Sequence, residues 1–122
     1  MNHIEVIEWT LETEREEMRK AHFGLNPLIN EDFEKRKSAF KVIQYYRAGI
    51  IPIVSDVGIN DNLICKYGGF CYKESDTYLS ICRFISKMRE NYLDISISLY
   101  ENTEELSMER NAEIINREII DL

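Results

Sequence analysis

Lys41-Val-Ile-Gln-Tyr-Tyr-Arg-Ala-Gly-Ile-Ile-Pro-Ile-Val-Ser-Asp-Val-Gly-Ile-Asn60 decides the fold of this chain. Together with Ala39, the residues Val42, Ile43 and Tyr46 fall at i, i+3, i+4 and i+7, which gives a helix one apolar face to lay on a sheet. Gly49 supplies the left-handed residue that ends it. Ile50-Ile-Pro-Ile-Val54 is apolar at every position, the pattern of a parallel strand covered on both faces, and Pro52 fits only near its start or on an edge. Ser55-Asp-Val-Gly-Ile-Asn60 reads as a turn, with Gly58 and Asn60 as its candidates for positive φ. Helix, glycine stop, buried strand and glycine-bearing turn in succession make half of a nucleotide-binding α/β unit.

The same rhythm extends outward. Residues 4–9, Ile-Glu-Val-Ile-Glu-Trp, read as a short strand, and Thr13 with Glu16 predicts a capping box for a helix over 14–21. Phe23-Gly-Leu-Asn-Pro-Leu28 is a second strand candidate, and the charged run 29–37 reads as a surface loop ahead of a helix capped by Ser38. Gly68-Gly-Phe-Cys-Tyr72 predicts a further strand. An Asp76-capped helix follows, with Ile81, Phe84, Ile85 and Met88 on one face. Residues 93–99 alternate with period two and by pattern alone are a strand. Ser107 opens a terminal helix carrying Ala112, Ile115, Ile119 and Leu122 along one side. Four strand-helix steps are visible, without internal repeat, low-complexity tract or linker.

A length of 122 residues suits one domain, 1–122, with a core of its own. The formal charge of -7, from 22 acidic against 15 basic residues, argues against nucleic acid and against an electrostatic membrane patch. No apolar run is long enough for a signal sequence or membrane span, so the expectation is a soluble, cytoplasmic protein. Cys65, Cys71 and Cys82 form neither a CxxC pair nor an even disulfide framework and read as free, buried thiols. His3 and His22 stand alone beside strand starts and carry no expected catalytic role.

The central segment also resembles, nearly position for position, the donor-site segment of retaining GT-B glycosyltransferases of the family 4 kind, whose usual pattern is Lys-x-x-x-Tyr-x-Ala-x-Gly-x-Pro-Val-Val-x-Ser-x-Val-Gly-x-Asn. The likeness covers most of the chain in order. His22-Phe-Gly-Leu-Asn-Pro-Leu28 stands for Asp-Ile-Gly-Ile-x-Pro-Leu, Arg36-Lys37 for a Gly-Lys pair, Pro52-Ile-Val54 for Pro-Val-Val, and Gly69-Phe70 for the start of Gly-Phe-Leu-Val. The resemblance implies a partial Rossmann-like, three-layer α/β/α fold with a short, mainly parallel four-stranded sheet and C-terminal helices. In it, residues 4–9 are strand 3 of the order 3-2-1-4-5-6, and residues 23–28, 50–54 and 69–72 are strands 4, 5 and 6. It also makes 93–99 a helix, against the alternation.

By resemblance the chain is the back part of a donor domain, and the implied reaction is sugar transfer from a nucleotide sugar with retention, without metal or other cofactor. The donor site falls on Arg36, Lys37, Ser38, Ala39, Lys41, Gln44 and Gly58; no residue is assigned to catalysis. Physically, a helix starting at Lys37-Ser38-Ala39 would offer unpaired N–H groups to a diphosphate, with Lys37 and Lys41 beside it. The departures bear on chemistry. The family's two glutamates, eight positions apart, are here Arg36 and Gln44, and Asn62 stands where a glutamate is usual. Gln44 can still bond ribose hydroxyls, whereas Arg36 cannot imitate a carboxylate. The implied partners are a weakly held nucleotide sugar and a second copy of the chain or a complementing polypeptide with the N-terminal domain. A small interaction module is the competing reading.

Overall fold

The structure, a computed structural model, describes residues 4–27 and 32–107, with residues 32–39 as backbone alone. Its elements are α1 (Leu11–Lys20), β1 (Phe23–Asn26), α2 (Asp32–Arg47), β2 (Ile51–Ser55), α3 (Asn60–Tyr67), β3 (Phe70–Tyr72), α4 (Tyr78–Arg89) and α5 (Tyr92–Asn102), then a 3-10 turn over Glu104–Leu106. The described strands form one parallel sheet in the order β1-β2-β3. Phe23 pairs with Ile51 and Asn26 with Val54, while Ile53 pairs with Phe70 and Ser55 with Tyr72.

β2 is central and buried at every position, as its unbroken apolar run requires. In-register neighbours share a face of the sheet, so Phe23, Ile51, Ile53 and Phe70 look one way and Gly24, Pro52, Val54 and Cys71 the other. On the first face α4 brings Phe84 to within 6.4 Å of the Phe23 ring and 5.2 Å of the Phe70 ring. On the second, the Tyr45 ring of α2 lies where a Cβ on Gly24 would sit, 2.5 Å away, and Ile64 of α3 closes on Gly69. Val42, Tyr46, Ile51, Val54 and Leu99 form the central cluster. This α/β arrangement is that of a partial Rossmann-like fold.

Three contacts tie the layers together. The Tyr46 hydroxyl donates to the Gly68 carbonyl at 2.6 Å, fastening α2 to the end of α3. Ser96 donates to the Gly49 carbonyl at 2.6 Å; Gly49 has φ 70 and leaves no room for a Cβ against Ser96 Oγ, so the glycine that stops α2 is also where α5 docks. Arg47 donates to the Tyr100 carbonyl at 2.6 Å and lies 4.2 Å over that ring, capping the end of α5 with a cation.

Several sequence-based expectations are corrected. Residues 4–9 form no strand: Ile4 and Val6 are 80% and 91% exposed, and nothing pairs with their backbone in the sheet. The first helix begins three residues earlier than predicted because the reciprocal cap joins Thr10 and Thr13, not Thr13 and Glu16. Thr10 Oγ1 accepts from the Thr13 N–H at 3.0 Å, and Thr13 Oγ1 accepts from the Thr10 N–H at 2.8 Å. Thr13 also donates to the Glu8 carbonyl, so the chain turns just before the helix.

α2 begins at Asp32, so most of the predicted loop is helix and Ser38 lies inside it; the Glu, Lys and Arg of that run are good helix formers whatever their charge pattern. α3 begins at the last residue of the predicted turn, so Asn60 is helical rather than positive in φ. Thr77, not Asp76, precedes α4, while Asp76 Oδ2 accepts from the Lys73 N–H in the preceding turn. Residues 93–99 are helical in α5, as the resemblance implied; Tyr92, Ile95 and Leu99 set the inward face beneath the alternation. Cys65 and Cys82 are exposed and Cys71 half-buried, so the thiols are free but not buried. The predicted terminal helix after Ser107 lies outside the described residues.

Candidate functional site

The seven donor-site candidates fall into three groups. Arg36, Lys37, Ser38 and Ala39 follow the first turn of α2, whose unpaired amides belong to its Asp32 end; a helix N-terminus at Lys37-Ser38-Ala39 is therefore replaced by helical backbone. The side chains of these four lie outside the described residues. Lys41 and Gln44 gather around Glu14 of α1. Lys41 Nζ sits 2.9 Å from Glu14 Oε1, and the hydrogen bond and charge of Lys41, with smaller contributions from Trp9 and Gln44, hold the Glu14 carboxyl below its ordinary range. Gly58 stands elsewhere, exposed on the turn after β2 with φ 59.

The Lys41 group borders a cleft of about 480 Å³ between α1, β1 and α2, lined among others by Ile7, Trp9, Glu14, Leu25, Lys41 and Tyr45. Tyr45 packs rather than offering a free stacking face: its hydroxyl donates to the Leu25 carbonyl at 2.8 Å and Lys41 lies 5.8 Å from its centroid. The cation expected to meet a phosphate is thus already paired with a carboxylate from 27 residues away, a contact that no local sequence signal announces.

The carboxyl ends of β1 and β2 form a second polar locus. The turn that follows β2 is pinned by the Val57 N–H on the Ser55 carbonyl at 2.9 Å and by Asn60 Nδ2 on the same carbonyl at 2.9 Å. Asn60 is fully buried, and its Oδ1 has no partner among the described residues. At the end of β1, the buried Nδ2 of Asn26 has none either, while the Asn26 carbonyl faces Ser55 Oγ at 3.4 Å. Buried polar atoms without partners cost about 1–3 kcal/mol each, and both of these lie near the carboxyl end of the sheet. That is also the edge at which open parallel sheets take their ligands. The sequence shows Asn26 only as part of the strand candidate 23–28 and Asn60 only as a turn residue.

No family model, curated protein or solved structure matches the chain. The weight of any functional reading therefore rests on the geometry above and on the residues that carry the resemblance. No helix among the described residues is long and apolar enough to cross a membrane. His22 packs edge-on against Tyr92, with ring centroids 4.6 Å apart.

Proposed function

We propose that the chain corresponds to the back part of a GT-B nucleotide-sugar-binding domain, related to retaining family 4 glycosyltransferases, and that it binds a nucleotide sugar weakly without turning it over alone. The observation that carries this reading is the pair of unpartnered polar atoms, Asn26 Nδ2 and Asn60 Oδ1, at the carboxyl ends of consecutive parallel strands, beside the Gly58 turn. Amide groups of this kind suit the hydroxyls and base edge of a nucleotide. Arg36, Lys37 and Lys41 would supply the charge for the diphosphate through their side chains, with Ser38, Ala39 and Gln44 beside them. Because α2 starts at Asp32, the amides of residues 37–39 take no part. Because Lys41 is paired with Glu14, binding must compete with that pair.

Affinity should be low, with a Kd of roughly 0.1–10 mM, since few contacts act together. Titration of the full chain with a nucleoside diphosphate sugar, followed by amide and side-chain NMR shifts, tests the reading. Shifts are expected at Asn26, Gly58 and Asn60 and along α2 at Lys41 and Gln44, and Glu14→Gln should tighten binding by freeing Lys41. Shifts confined to α4, or none at all, would defeat the proposal, as would sugar transfer by the pure chain. A second reading, that the chain pairs with another copy or with a complementing polypeptide, is favoured by the outer edge of β1. The Ile51 N–H donates to the His22 carbonyl, so the backbone of Phe23 and Leu25 faces away from β2; Tyr45 takes the Leu25 carbonyl, and the described chain adds no strand there. Light scattering across a concentration series separates a strict monomer from that assembly.

A further inference from the structure

Asp56 on the turn after β2, Asp61 on the first turn of α3 and Cys71 in β3 bring their side-chain ligand atoms within 4.8 Å of one another. Cys65 stands four residues after Asp61 on the same side of α3, with its Sγ 3.9 Å from Asp61 Oδ1. Two carboxylates and the Cys71 thiol from three elements therefore converge, with the Cys65 thiol beside Asp61 at the rim. The backbone fixes their positions: the Asp56 N–H donates to the Tyr72 carbonyl at 3.0 Å, and Cys71 is held by its pairing with Val54. The local field is negative. Asp56 and Asp61 supply it, and Lys73 is the cation nearby.

We propose that Asp56, Asp61, Cys65 and Cys71 form a binding site for a thiophilic divalent cation of the zinc class. Four donors with two sulfurs match tetrahedral coordination, whereas magnesium and calcium take six or more oxygens. Asp61 and Cys65, one helical turn apart, act as a chelating pair, and Asp56 and Cys71 close the site from the sheet. On binding, each thiol releases its proton to solvent as its sulfur bonds the metal, and the metal gives up the displaced waters. The site is independent of the glycosyltransferase reading and stands or falls without it. Its spacing, Asp56-x4-Asp61-x3-Cys65-x5-Cys71, lacks a CxxC pair, which is why the sequence assigned no metal.

The test is titration of the reduced full chain with cobalt(II) under anaerobic conditions. The expected result is sulfur-to-cobalt charge-transfer absorption and tetrahedral d–d bands that saturate at one equivalent and vanish on addition of zinc. Cys65→Ser and Asp61→Asn should each weaken binding by at least the roughly tenfold that outer-sphere changes already cost, and Cys71→Ser should remove part of the charge-transfer intensity. Cys82→Ser, on α4 outside the cluster, should change nothing. If Cys71→Ser fails to fold by circular dichroism, Cys65→Ser and Asp61→Asn decide the matter at exposed or half-buried positions. Absence of charge transfer, a purely octahedral spectrum, or undiminished binding in Cys65→Ser and Asp61→Asn would overturn the proposal.

Discussion

Residues 51–55 and 4–9 are both short and rich in large apolar side chains, yet Ile51, Ile53 and Val54 are fully buried while Ile4, Val6 and Trp9 are 80%, 91% and 71% exposed. Glu5 and Glu8 set the second stretch apart, and so do its neighbours. β2 has a strand on each edge and helices on both faces, so each side chain finds a surface and each backbone group a partner. Residues 4–9 run into the cap made by Thr10 and Thr13, and none of them pairs with β1 in the sheet. An apolar run specifies burial only where the fold offers it an edge.

The largest effect should follow from cutting into the buried run. Ile53→Ala is expected to cost about 2–5 kcal/mol in urea unfolding, because the cavity left between α layers cannot collapse. Val6→Ala should stay within about 0.5 kcal/mol. A loss at Val6 comparable to that at Ile53 would break the comparison, by showing that 4–9 are covered in solution against β1 or by a second chain.

A smaller effect tests how tightly the sheet is packed at its far edge. Gly69 has φ 116, and a Cβ there would sit 2.7 Å from the Pro52 carbonyl oxygen and 2.8 Å from Pro52 Cγ. Gly69→Ala should therefore cost about 1–3 kcal/mol, combining backbone strain with a contact that backbone cannot yield. Gly58→Ala, exposed with φ 59, should cost only the conformational penalty of about 1 kcal/mol. Equal losses would mean that β3 moves freely away from Pro52.

The contrast also explains what could be read from the chain. β2, the body of α2 and the Gly49 stop are local patterns, and their periods survive in the structure because nothing distant competes. The start of α2 was hidden because its first residues are charged, and a charged run looks alike as loop or solvated helix. In α5 the alternation from Leu93 to Leu99 coexists with the helical set Tyr92, Ile95 and Leu99, so period alone could not choose. The Lys41–Glu14 pair, the unpartnered Asn26 and Asn60 and the Asp–Cys cluster each join groups from different elements. Residue type marks such groups as polar, and only the assembled sheet says which of them meet.

The smallest effect belongs to the pair that ties the exposed region to the buried one. Lys41 of α2 holds Glu14 of α1 below the ordinary carboxylate range, so the folded chain keeps this carboxylate ionised to lower pH than the unfolded chain does. The stabilisation is present in full above the unfolded carboxyl pKa and is lost as pH falls through the folded one. Wild type should thus exceed Glu14→Gln in urea midpoint by a small, constant margin at neutral pH, and the margin should close on acidification through and below the normal glutamate range. Both side chains reach solvent, at 34% and 20% exposure, so salt at about 1 M should shrink the margin as well. A margin indifferent to both pH and salt would show that Glu14 acts through its packing beside Trp9 and Gln44, and that α1 is held to the sheet by contact area and not by charge.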